Sequence, residues 1–114
     1  MNLELITQES FSSLKNLLIE DGVYREKVVM NDSQIEVEAY SGILLDGRAV
    51  CFAKSEDEYF NLEFALEPKP NSEAEMNAAL EDAAYFLSSE VVWRALNITS
   101  EKDRAEYGEL TYKV

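Results

Sequence analysis

Apolar residues recur along this chain in two rhythms, and the switches between them divide it into elements. From Gln8 to about Glu20 the spacing is helical. Phe11, Leu14, Leu17 and Leu18 fall on one face, Thr7 or Ser10 can cap the start, and Gly22 follows as a stop. Leu3, Leu5 and Ile6 ahead of it fit either a short strand or an extension of the same helix. From Val23 the rhythm becomes alternation. Val23–Met30, Ile35–Leu45, Arg48–Lys54 and Tyr59–Glu67 read as four strands. They are separated by the turn Asn31-Asp32-Ser33-Gln34, the hairpin dipeptide Asp46-Gly47 and a three-residue acidic turn after Lys54. Pro68 and Pro70 end the sheet, since neither can donate to a ladder.

Helical spacing returns after Ser72, which with Glu75 forms a capping box. Met76, Ala79, Leu80, Ala83, Ala84 and Leu87 make an apolar stripe suited to covering a sheet. Tyr85, Val92 and Leu96 turn away from that stripe, so a break near Ser88-Ser89 is expected, with a second helix beyond it. Ser100–Glu106 suits another helical turn, and Leu110, Tyr112 and Val114 alternate like an edge strand.

Pairing residue 30 with 35, 45 with 48 and 54 with 58 gives one consistent core face. It comprises Val28, Met30, Ile35, Val37, Ala39, Ile43, Val50, Phe52, Phe60, Leu62, Phe64 and Leu66. The expected fold is therefore α+β in a single domain, residues 1–114. It is an antiparallel meander of four to five strands, with the N-terminal helix and the C-terminal helical segment on one face, as a two-layer sandwich.

A chain of 114 residues, 46% hydrophobic, is large enough for one core. The N-terminal stretch lacks the pattern of a signal peptide and no apolar run is long enough to span a bilayer. A single cysteine, Cys51, fits a reducing cytoplasm. Charge changes the picture most. The chain carries −13, and residues 55–90 hold ten acids against one base, Lys69. Such a field repels nucleic-acid phosphates and anionic membranes and attracts basic surfaces, so neither nucleic acid nor membrane is expected as a direct partner.

Recognisable chemistry is sparse. The chain has no histidine, no glycine-rich phosphate loop and no calcium-loop pattern in Glu56-Asp57-Glu58. Cys51 sits mid-strand among apolar residues, as a structural thiol does. A carboxylate pair such as Glu63 with Glu36 or Glu38 would be the only acid–base candidate. No enzyme activity, cofactor or metal is expected. The expected contact surface is the outer sheet face and its rim: Glu36, Glu38, Tyr40, Glu56, Asp57, Glu58, Tyr59, Glu63 and Glu67. Carboxylates held on a rigid scaffold with amphipathic tyrosines suit an inhibitor or sequestering protein that docks on a basic, nucleic-acid-handling protein. Toxin immunity proteins and phage anti-defence proteins, including DNA mimics that block restriction or CRISPR effectors, work in this way. The alternative is a small acidic dimeric chaperone or adaptor using Tyr85, Val92, Trp93 and Leu96 as its interface; the inhibitor would be a monomer or homodimer.

Overall fold

A computed structural model describes residues 2–66 and 69–113; Glu67 and Val114 lie outside the described residues. Along the chain come β1 (Asn2–Ile6), α1 (Gln8–Asp21), β2 (Gly22–Asp32), β3 (Ile35–Leu44) and β4 (Ala49–Ser55). They are followed by β5 (Glu58–Glu63), α2 (Glu73–Leu96), α3 (Glu101–Tyr107) and β6 (Tyr112–Lys113). The class is α+β, and β2 to β5 form the expected antiparallel meander. Among the described residues the sheet has six strands in the order β1-β5-β4-β3-β2-β6, so the first and last strands extend it at its two edges.

Loop lengths decide which side chains share a face. The β3–β4 connection is a three-residue loop, not the two-residue one that Asp46-Gly47 suggests. Leu44 N–H bonds to the Arg48 carbonyl at 2.8 Å, and Gly47 takes φ +91° as the left-handed residue that closes such a loop. Leu45 is left at the tip, 85% exposed. Val50 therefore faces Gly42 instead of Ile43, a one-residue slip that turns β4 over. The β4–β5 loop is also one residue off, with two residues, Glu56 and Asp57, between Ser55 and Glu58. The second slip undoes the first, so β5 keeps its expected orientation and β4 alone is reversed. In the β2–β3 hairpin, Asp32 pairs with Ile35. The shift from the expected register is two residues, and the faces are unchanged.

The reversal of β4 changes the layering. Cys51 and Ala53, not Val50 and Phe52, join Val28, Met30, Val37, Ala39, Phe60 and Leu62 beneath α2. Val50 and Phe52 instead meet Tyr40, Leu44, Phe11 and Leu18 in a second core beneath α1. The two helices thus lie on opposite faces of the sheet, and the molecule has three layers where two were expected. Phe11 anchors the α1 layer, with its ring edge-on to Phe52 at 5.5 Å and tilted against Tyr59 at 5.1 Å.

Thr7 caps α1, its hydroxyl accepting from Ser10 N–H at 3.1 Å. Gly22 ends the helix by close approach, not by left-handed geometry. Its φ is −125°, and a Cβ there would come within 2.8 Å of the Ile43 carbonyl oxygen.

Helix α2 runs unbroken through Ser88-Ser89. Both hydroxyls bond back to carbonyls one turn earlier, Ser88 to Ala84 and Ser89 to Tyr85, each at 2.8 Å, so both are satisfied without ending the helix. Of the apolar residues off its main stripe, Val92 and Leu96 join the core under the helix, Tyr85 stays exposed, and the neighbouring Trp93 is covered by the chain's own C-terminal segment. The Tyr107 ring meets Trp93 edge-on at 5.4 Å, Arg104 lies over the same indole, and Leu110 and Tyr112 pack into the α2 core. Asn97, at φ 58°, closes the helix, and Ile98 N–H bonds to the Trp93 carbonyl.

Two substitutions test this packing. Gly42 lies under α1, where a Cβ would stand 2.4 Å from Leu18 Cδ1 and 2.5 Å from the Val23 carbonyl oxygen. Gly42→Ala is expected to destabilise the fold by about 2–3 kcal/mol, a fall in Tm of roughly 10 °C in a thermal melt. Gln34 holds φ 68° in the β2–β3 turn without being glycine. Gln34→Gly should raise stability by about 0.5–1 kcal/mol, read as a higher denaturant midpoint with unchanged slope.

Candidate functional site

The expected contact residues occupy three separate places. Glu38, Tyr40 and Tyr59 lie on the α1 face of the sheet, in a part of it where Lys27 and Lys54 stand beside Glu38. Glu38 stands between Val29 and Lys54 in one cross-strand row that continues to Tyr59. Its carboxylate is 2.5 Å from Lys27 Nζ and accepts from the Tyr40 hydroxyl at 2.5 Å. Burial pushes the Glu38 pKa up, but the bonds from Lys27 and Tyr40, with Lys15 nearby, hold it below the ordinary glutamate value. Tyr40 is buried, stacked on Phe52 at 5.5 Å with Lys15 over its ring. Tyr59 is half-buried against Phe11. Both tyrosines belong to the α1 core, because β4 presents Phe52 on this side.

Glu36, Glu56, Asp57 and Glu58 gather at one end of the sheet. Glu36 lies two residues beyond the Glu38–Lys54 pair, level with the β4–β5 turn that carries the other three. All four are exposed; Glu58 reaches Arg94 of α2 at 3.4 Å. Glu63 is at the opposite end, six β4 positions away, which is roughly 20 Å along the strands. Glu63 and Glu36 therefore form no carboxylate pair.

Two further acidic regions stand apart from the β4–β5 turn. A groove of about 780 Å³ lies between α1 and strands β1, β4 and β5, bordered by Glu4, Glu9 and Glu63. Glu4 accepts from Asn61 Nδ2 at 2.6 Å, while Arg48, also at the groove, is held by Asp46 at 2.8 Å. Glu4 reaches this groove because Leu3-Glu4-Leu5 is part of a strand and not an extension of α1, a choice that the spacing leaves open. The other region is the outward side of α2, where Glu75, Glu81 and Asp82 are exposed with Tyr85 and Phe86 beyond them. Val92 and Trp93, expected as a chaperone interface, are buried against the sheet and the C-terminal segment.

Asp32, Ser33 and Tyr107 form a constellation that resembles acid–base machinery. Asp32 is buried at the end of β2, and its Oδ1 accepts from the Tyr107 hydroxyl. Ser33 Oγ lies 2.6 Å from the same hydroxyl, and Thr111 N–H donates to Asp32 Oδ2 at 2.9 Å. The Tyr107 bond above all, with those from Thr111 and Ser33, outweighs burial and holds the Asp32 carboxyl below its ordinary value. An acceptor saturated by its own chain is a latch: it ties α3 and the C-terminal segment to the β2–β3 hairpin. The other candidate group, Cys51, is fully buried, and burial pushes its thiol up to about 12, so it stays protonated at neutral pH.

Among the described residues no group of three or more acids or cysteines is placed to hold a metal ion, and no helix is long and apolar enough to cross a membrane. Compared with protein families, curated proteins and solved structures, the chain matches none.

The latch has a measurable signature. Tyr107→Phe removes a donor to a charged, buried acceptor and should cost about 1.5–3 kcal/mol, with faster amide exchange in residues 101–113. Because the Asp32 pKa is lowered by folding, its contribution is complete above the unfolded value near pH 4 and is lost as pH falls through the folded value. Acid titration of stability should therefore be shallower in Tyr107→Phe than in the parent.

Proposed function

We propose that this chain is a non-enzymatic acidic protein that binds the basic surface of a nucleic-acid-handling protein and so inhibits or sequesters it. The observation that carries this reading is where the surplus carboxylates stand. Residues 55–90 hold ten acids and one base, and of these Glu58 and Glu90 are matched by Arg94 and Arg104. Glu56, Asp57, Glu63, Glu75, Glu81 and Asp82 are exposed. From Glu75 to the Glu56–Glu58 turn beside Ala95, acids are spread over roughly 30 Å of the α2 axis. That length spans several phosphate spacings of a nucleic-acid backbone, and the supporting helix and hairpin are rigid. Charge of this kind steers association and selects positive surfaces more than it adds affinity.

Immobilised protein incubated with host lysate and eluted in a salt gradient tests the reading. A stoichiometric basic partner leaving at moderate salt is expected, with an association rate falling at least about tenfold between 50 and 500 mM salt. The quadruple variant Glu56→Gln, Asp57→Asn, Glu81→Gln, Asp82→Asn should fold with nearly unchanged stability and lose most of that capture. A partner held equally by the variant and at high salt would defeat the electrostatic reading.

A further inference from the structure

Strand β1 forms one edge of the sheet, and among the described residues it pairs with β5 alone. Leu3, Glu4 and Leu5 are all exposed, Leu5 by 57%. Leu3 and Leu5 pair with Leu62 and Phe60, so they extend the α2 side of the sheet past the area that helix covers. Glu4 points to the other side, toward the groove that Glu9 and Glu63 also border. The edge thus offers backbone groups, an apolar strip on one face and a negative strip on the other.

An exposed edge of this kind is a template for another strand, and proteins blunt such edges with a charge in mid-strand. Glu4 does this against a second copy. The two-fold antiparallel register that uses the whole strand places Glu4 opposite Glu4 of the other chain, between molecules each carrying −13. The same residue favours a strand that brings lysine or arginine to that position. Charge therefore disfavours self-pairing and favours a basic occupant.

We propose that β1 is a docking edge for an extended segment of the partner, in which apolar residues alternate with lysine or arginine. The segment adds a seventh strand beside β1, sets its apolar residues against Leu3 and Leu5, and directs its cations to Glu4 and the acidic groove. This deepens the function proposed above and rests on it for the basic character of the partner.

The probe is a synthetic peptide of alternating valine and lysine, compared with a scrambled peptide of identical composition and an alternating valine–glutamate peptide, each titrated into isotope-labelled protein. The expected result is that the valine–lysine peptide shifts and protects amides of residues 3–6. The scrambled peptide should bind more weakly without protecting them, and the glutamate peptide should not bind. Glu4→Lys should weaken the valine–lysine complex roughly three- to tenfold, and Glu4→Gln, which keeps an acceptor for Asn61, by less. Shifts confined to the Glu56–Glu58 turn and α2, or equal binding of the scrambled peptide, would overturn the docking edge while leaving the acidic-inhibitor reading intact. Protection of β1 by the valine–lysine peptide, with a natural partner that ignores salt, would support the edge and defeat that broader reading.

Discussion

Phe52 on one side of β4 and Ala53 on the other are both sealed from solvent, and the layers of the molecule are arranged around that double burial. A strand buried on both faces has no register to spare, since a slip of one residue would exchange the two sets. On the α2 side β4 offers Cys51 and Ala53, and β3 offers Ala39, all small. Ala83 and Ala84 of the helix meet the same core, so α2 can lie close to the sheet. On the α1 side the sizes are reversed. Phe52, Tyr40 and Val50 project toward a shorter helix that answers with Phe11 and Leu18, and Gly42 leaves the space that Leu18 fills.

The elements were largely legible from local pattern, because α1, the meander and the start of α2 each follow one period and have turn or cap residues at their ends. The layering was not, because it depends on loop lengths that composition leaves open. Asp46-Gly47 suits a two-residue turn, yet with Leu45 it closes a three-residue one, and that choice sends Phe52 to the opposite face. A strand reading Ala-Val-Cys-Phe-Ala has apolar residues at both parities, so its own sequence gives no warning of the error. Tyr40 was misplaced as an exposed anchor for the same reason. Its outer face becomes a core once Phe52 is beside it. The continuity of α2 was hidden differently. The cover for Trp93 comes from Arg104 and Tyr107, which are near it only after the chain has turned at Asn97.

Charge follows the packing. Where helix meets sheet around Glu38, three lysines are near: Lys27 in contact, Lys54 opposite and Lys15 above the neighbouring tyrosine ring. Where the C-terminal segment meets α2, Arg104 neutralises Glu90 with two hydrogen bonds and also covers Trp93. Cations are thus placed where a carboxylate is partly desolvated, because an unmatched charge there would be costly. The excess lies on the β4–β5 turn and the outward side of α2, where solvent screens it. Self-repulsion in that region lowers the stability of the fold without being needed by it.

A surplus that folding does not require is understandable if its use lies at longer range. Exposed carboxylates act over about a Debye length, some 8–10 Å at physiological salt, which brings a basic partner near but fixes neither register nor orientation. Backbone hydrogen bonds at a strand edge behave in the opposite way: they have no reach, but they set direction and spacing residue by residue. In the function proposed above, the acidic helix and turn would serve encounter and β1 alignment, with Glu4 belonging to both because it lies on the edge and borders the groove. Neither feature alone separates a particular basic protein from the many in a cell. Acting in sequence they would, since the proposed partner has to be positive over tens of ångströms and also to carry its cations at every second residue of one extended segment.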